Sequence, residues 1–276
     1  MPETLPPPDL PAVRAWLDPI VVRFEQASFI QDDPVSVPHA FDDPRDQELI
    51  GLLAALLAWG RRDIMLAKLN DLCERMDFRP AQFIRDLRPT SRALDGFVHR
   101  TFNPDDAMGL CLSLQSALRE HRTLENLFRT GMDVLDDGSG PKDLTPALSA
   151  FSHALFDGVP GRPKRMRKHL ARPETGSACK RLVMFLRWMV RSGPVDLGIW
   201  STLSPADLWL PLDVHSGRQA REAGLLARKQ NDWRSVQELT AICRQLRPED
   251  PAAYDFAFFG VGSSGESLSW SRVSAT

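Results

Sequence analysis

The chain has 276 residues, with 34 Lys and Arg against 36 Asp and Glu, a formal net charge of −2, and 43% hydrophobic residues. These are ordinary globular values at a length that can bury a core without disulfides, and they exclude a wholly disordered or fibrous chain. Spread evenly, so small a net charge would also argue against a nucleic-acid partner.

The opening MPETLPPPDL is a Pro-rich arm with no basic stretch running into an apolar one, so it does not read as a secretory signal. Helical spacing of Val13, Trp16, Leu17, Ile20, Val21 and Phe24 predicts a helix from Pro11 to Phe29. A polar loop through Asp32, Asp33, Pro34 and Pro38 follows. Asp43-Pro44 has the form of an N-cap with proline at the first helical position. The helix it opens, through Leu49, Leu52, Leu53, Leu56 and Leu57 to Trp59, lacks a polar face in its second half, which marks it as central and buried. That run is also the longest apolar stretch, well short of a bilayer span. A helix capped by Asp63 is expected to Met76, then shorter ones over 80–87, 105–120, 123–129 and 144–156, with DDGSGPKD as a surface loop. Helices over 177–191, 205–208, 214–223, 233–246 and 251–258 complete the chain. No segment alternates apolar and polar residues as a half-buried strand would, so the fold class is all-α.

The four cysteines (Cys73, Cys111, Cys179, Cys243) are far apart and form no CxxC or Cys/His cluster. Free thiols in the cytoplasm are expected, with no metal, no iron–sulfur cluster and no cofactor. Charge, by contrast, is concentrated. Residues 161–191 hold Arg162, Lys164, Arg165, Arg167, Lys168, Arg172, Lys180, Arg181, Arg187 and Arg191 against the single acid Glu174, a local +9 that leaves −11 on the rest. Such asymmetry fits contact with a phosphate backbone; a solvated loop or an acidic protein partner would also account for it. The basic loop leads into a helix N-terminus, a second anion-binding element, which favours nucleic acid.

Two residues stand out as chemistry. With Ser177 as N-cap, Lys180 falls at the third helical position, a cation placed against the helix dipole, as a nucleophilic amine would be; the plain alternative is a solvated lysine. Asp213, in Leu212-Asp213-Val214-His215, is placed to cap the following helix. A carboxylate in that position is also able to stabilise a developing cation, such as a sugar losing its base.

At this pair the sequence resembles the helix–hairpin–helix base-excision DNA glycosylases, and within them the archaeal 8-oxoguanine glycosylase branch. The resemblance is carried by TGSACKRLVMFLRWMV followed by LPLDVHSGRQARE, by the closing stretch NDWRSVQELTAICRQLRPEDPAAYDFAFFGVG, and by ELIGLLAALLAWGRRDIMLAKLNDL near the start. It spans residues 41 to 262, with 1–40 as arm and first helix and 263–276 as a tail. The hairpin signature LPGVG is replaced by TGSAC, and the 33-residue separation of Lys180 and Asp213 is similar to that of the archaeal branch. The resemblance implies two helical subdomains with a cleft between them, Lys180 as Schiff-base nucleophile, and Asp213 as catalytic carboxylate. It further implies a monomer acting on damaged double-stranded DNA, with no membrane partner.

With the charge pattern, the resemblance makes Arg61, Arg62, Arg162, Lys164, Arg165, Arg167, Lys168, Ser177, Arg181, His215 and Arg218 the DNA contacts. Trp59, Arg61 and Arg62 stand where a wedge would enter DNA, and equally where a helix would end with cationic capping. Phe185 and Trp188 are either pocket or core, and His215 either orients a phosphate or is an ordinary buried histidine. Two other functions fit the sequence: a non-catalytic nucleic-acid-binding module of the same fold, and a helical protein–protein adaptor.

Overall fold

The computed structural model describes residues 9–132, 141–158 and 164–269. Helix α1 (Leu10–Phe24) is capped by Asp9 and ends five residues before the expected Phe29, where the chain tightens into a 3₁₀ turn, Ala27–Asp32. After the one-turn α2 (Ser36–His39) comes α3 (Pro44–Leu57), with Asp43 accepting from Arg45 N at 2.9 Å as its N-cap. Ten of its fourteen residues are buried, in agreement with its missing polar face. The following α4 (Arg62–Arg75) starts one residue earlier than expected. Arg61 holds the cap position, and Asp63 lies inside the first turn, paired to the Arg61 guanidinium at 2.6 Å.

The middle of the chain is α5 (Pro80–Asp86), α6 (Pro104–His121), α7 (Leu124–Thr130) and α8 (Thr145–Asp157). Asn103 and Asp106 form a capping box on α6. The buried Glu48 carboxylate of α3 accepts from Leu124 N, Glu125 N and Trp200 Nε1 at 2.8–3.0 Å, fastening the α7 N-terminus to the central helix. Most of the expected 136–143 loop lies outside the described residues.

The last third holds α9 (Lys180–Val190), α10 (Val214–Glu222), α11 (Trp233–Leu246) and α12 (Tyr254–Ser264). Residues 205–207 form a 3₁₀ turn, and the expected 251–258 helix begins as another before continuing as α12. Packing joins distant parts of the chain. Helix α12 lies against α10 and α1, with α11 also on α1, while α5 to α8 pack among themselves and onto α3, and α9 lies on α3. Among the described residues the protein is all-helical, with isolated bridges and no strand. No described helix is long and apolar enough to cross a membrane.

Candidate functional site

Helix α9 begins at Lys180, two residues later than Ser177 as N-cap would place it. Cys179 occupies the cap position in the left-handed region at φ 50°, following Gly176 at φ 79°. The Ser177 hydroxyl is spent inside this turn, accepting from Cys179 N at 3.2 Å. Gly176 O accepts from Trp233 N at 3.1 Å, and Ser177 bridges to Asp232, so the turn is tied to the start of α11. Left-handed backbone costs a non-glycine residue about 1–2 kcal/mol, which these ties must offset. Lys180 is therefore the first helical residue rather than the third. Burial pushes the neighbouring Cys179 thiol up to about 12, so it stays protonated.

Asp213 caps α10 as the sequence predicts: its Oδ1 accepts from Ser216 N at 2.8 Å. Its backbone carbonyl accepts from Asn231 Nδ2 at 2.8 Å. Gly217 makes that approach possible, since a Cβ there would stand 2.4 Å from Asn231 Oδ1. The other carboxylate oxygen, Oδ2, lies 4.0 Å from Lys180 Nζ, with both side chains part-buried. One oxygen holds the helix while the other faces the amine, so capping and chemistry do not compete.

The pair opens into a cleft of about 210 Å³ between the α3–α4 connection, α9, α10, α12 and the loop after α1. Trp59, Gly60 and Arg62 form one side and Phe29 and Phe259 another. Lys180 Nζ is 6.0 Å from the Phe259 ring centroid. Below the pair runs a chain of buried charges. Ser216 Oγ donates to Asp255 Oδ1 at 3.0 Å, and Asp255 Oδ2 accepts from Arg187 at 2.5 Å. Arg187 also pairs with Asp196, which pairs with Arg191, itself bound to Asp250 and Glu25.

Burial pushes the Asp255 carboxyl up to about 6, against the opposing pull of Arg187 and with the like charge of Asp213 adding to the rise. The folded chain thus holds this proton more tightly than the unfolded one, whose carboxyl titrates near 3.8. Asp255 contributes its full stabilisation below about pH 3.8 and loses it as pH rises through 6. Urea unfolding of wild type and Asp255→Asn from pH 4 to 7 should show the wild-type advantage shrinking by up to about 3 kcal/mol. A pH-independent difference would show that Asp255 is ionised throughout.

The remaining sequence-predicted residues are distributed as follows. Trp59 and Arg62 line the cleft; the Trp59 ring packs edge-on to His99 at 5.3 Å, under the Arg100 guanidinium. Arg61 is exposed on its pair with Asp63. His215 is exposed on the cleft wall rather than buried, with Nδ1 at 3.1 Å from Gly262 O. Arg218 is exposed next to Glu222.

The described cations of 161–191 do not share one face. Arg162 lies outside the described residues. Lys164 and Lys168 are exposed on a 3₁₀ turn, Lys164–His169. Arg165 on that turn reaches Thr101 O and the buried Asp106, and Arg167 rests on Phe156 and bonds His153. Arg181 turns inward and donates to Leu56 O at 2.7 Å, satisfying the C-terminus of α3. Arg187 and Arg191 are each 4% exposed and neutralised by acids from elsewhere in the chain. Phe185 and Trp188 are fully buried, Phe185 against Trp200 and Phe151, and neither lines the cleft.

Sequence reasoning passed over Asp33, Met184, Arg187, Asp255 and Phe259, all of which line the cleft. Asp255 carried a signal: a lone carboxylate in the apolar run PAAYDFAFFGVG needs a buried partner. Asp33, in a polar loop, carried none. Among the described residues no cluster of His, Cys, Asp or Glu is placed to hold a metal ion.

An all-helical protein with a lysine–carboxylate cleft built where two helices begin is the class that fold and site define. The chain belongs to the DUF2400 family of proteins of unknown function, whose profile matches residues 33–264 and so includes every cleft residue except Phe29. No curated protein and no solved structure matches the chain.

Proposed function

We propose that the protein is a DNA glycosylase with AP lyase activity, acting on a damaged purine of the 8-oxoguanine kind in duplex DNA. The observation that carries this reading is the meeting of Lys180 Nζ and Asp213 Oδ2 at 4.0 Å in an aromatic-walled cleft, from positions 33 residues apart. The helix–hairpin–helix resemblance assigns roles to the same two residues. A non-catalytic module would need neither group in the cleft.

In this mechanism the lesion leaves the base stack and enters the cleft. The amine of Lys180, its proton given up to solvent so that Asp213 stays anionic, attacks the anomeric carbon. The glycosidic bond breaks with its electron pair leaving on the base, which takes up a proton. Asp213 stabilises the positive charge that develops on the sugar. The C1′–O4′ bond then opens, its oxygen taking up a proton, and the resulting protonated lysine–sugar imine allows loss of a C2′ proton and departure of the 3′ phosphate, which cuts the strand. Arg62 and His215 are exposed on the cleft wall, and Arg218 is exposed one turn along α10 from Asp213. Lys164 and Lys168 border Trp59 through His169, whose ring lies 6.2 Å from the indole, so phosphate contacts would flank the flipped nucleotide.

The test is borohydride trapping on abasic and 8-oxoguanine duplexes. Wild type should form a covalent adduct; absence of an adduct on every duplex would remove the lyase assignment. Asp213→Asn should slow base release about a hundredfold or more while DNA affinity is retained. Loss of DNA binding in that variant would reduce Asp213 to a helix cap.

A further inference from the structure

We infer that Asp33 reads the flipped base, its carboxylate accepting hydrogen bonds from two adjacent N–H donors on a guanine-type edge. This rests on the glycosylase reading above and names the substrate class of that same cleft.

The cleft contains three carboxylates, and among the described residues only Asp33 makes no ion pair. Asp213 is committed to the α10 cap and to Lys180. Asp255 is occupied on both oxygens, by Ser216 and by Arg187. Asp33 is 8% exposed and lines the cleft, yet its side chain makes one hydrogen bond among the described residues, accepting from Val35 N at 3.0 Å. A carboxylate offers about four lone-pair directions, so most of its acceptor capacity is unfilled. The free oxygen is not among the buried polar atoms that lack a partner, so it is accessible to a molecule in the cleft.

The group is also held rigidly. Asp33 N donates to Ile30 O at 3.0 Å, Ser36 N donates to Asp33 O at 2.9 Å, and Pro34 restricts the backbone between them. Phe29, four residues before, packs edge-on against Phe256 and Phe259, with centroids 5.5 and 6.0 Å apart, which fixes the loop to α12. Burial raises the Asp33 carboxyl above its ordinary range, while Arg187, Lys180 and Arg62 favour its anion.

In its anionic form, a carboxylate selects among bases by elementary hydrogen-bond chemistry. Guanine and 8-oxoguanine present N1–H and the exocyclic amine side by side, two donors that match two oxygens. Adenine and cytosine set a ring-nitrogen lone pair beside their amine, and thymine flanks its one N–H with two carbonyls, so each turns at least one lone pair on the carboxylate. The buried indole N–H of Trp59, which has no partner among the described residues, is a donor and does not substitute for this acceptor.

The experiment compares single-turnover base release from duplexes carrying 8-oxoguanine or 8-oxohypoxanthine, which lacks the exocyclic amine, in wild type, Asp33→Asn and Asp33→Glu. Borohydride trapping on an abasic duplex is run in parallel. Wild type should release 8-oxoguanine about tenfold or more faster than 8-oxohypoxanthine, the worth of one charge-assisted hydrogen bond. Asp33→Asn should lose that preference, with base release falling far more than abasic-site trapping, and Asp33→Glu should recover part of it. Equal wild-type rates on the two lesions overturn the inference without any variant, even if Asp33→Asn fails to fold. A fall of release and trapping together in Asp33→Asn also overturns it, making Asp33 a brace for its loop. A wild type that traps abasic DNA but releases neither base removes the base-reading role and leaves the lyase chemistry standing. A wild type that forms no adduct anywhere removes the proposed function itself.

Discussion

Replacing Lys180 by glutamine is expected to abolish borohydride trapping on abasic and 8-oxoguanine duplexes, a loss of roughly 10³-fold or more. Borohydride reduces the lysine–sugar imine to a stable secondary amine, so the signal requires a primary amine at the sugar. Glutamine is close to lysine in length, remains able to hydrogen-bond Asp213, and has no nucleophilic lone pair on its amide nitrogen. The fold should survive the change. The pair is part-exposed and 4.0 Å apart, and such ion pairs contribute about 0–1 kcal/mol. Unchanged urea unfolding together with lost trapping would separate chemistry from stability. Persistence of the adduct in the variant would move the nucleophile to another amine and sink the assignment of Lys180.

The largest loss of stability is expected at Arg187. Its guanidinium, 4% exposed, lies between Asp196 and Asp255, which are themselves buried. Arg187→Met keeps much of the side-chain length and removes the charge, stranding Asp255 away from water while Asp196 keeps Arg191. Breaking a buried pair in this way costs about 3–5 kcal/mol, because the partner left behind cannot regain its hydration. Urea unfolding at pH 7 measures it, and a cost below about 1 kcal/mol would mean that water reaches that carboxylate. The same substitution should disturb the cleft. Asp255 links through Ser216 to the first turn of α10, where Asp213 is held, so base release should slow as well. Lowering the pH towards 4 should recover part of the lost stability, since a protonated Asp255 no longer needs its cation.

The two substitutions divide the sequence's basic segment into what was legible and what was not. Local signals translated well. Asp43 and Asp213 cap their helices because an N-cap needs only a short polar side chain and the amides two or three residues ahead. Helix α11 occupies 233–246, its predicted span, because its amphipathic period and its cap Asp232 agree. The start of α9 was misread for an equally physical reason. Ser177 has the chemistry of a cap, but the bridge to Asp232 and the bond from Trp233 N hold its turn against another part of the chain. That competition is tertiary and leaves no mark in the local pattern.

By itself, the sequence determined that this protein is helical, where most helices begin, and that a lysine and an aspartate 33 residues apart have the chemistry for one site. Only the tertiary structure decided that the two meet, that Asp33 and Asp255 join them, and that the +9 of residues 161–191 is largely consumed inside the molecule. Helix periodicity depends on neighbours three and four residues away, so it can be read along the chain. Whether a charge faces solvent, a ligand or a buried partner depends on groups such as Glu25 and Asp250, 166 and 59 residues from Arg191, and only packing brings these within hydrogen-bond reach.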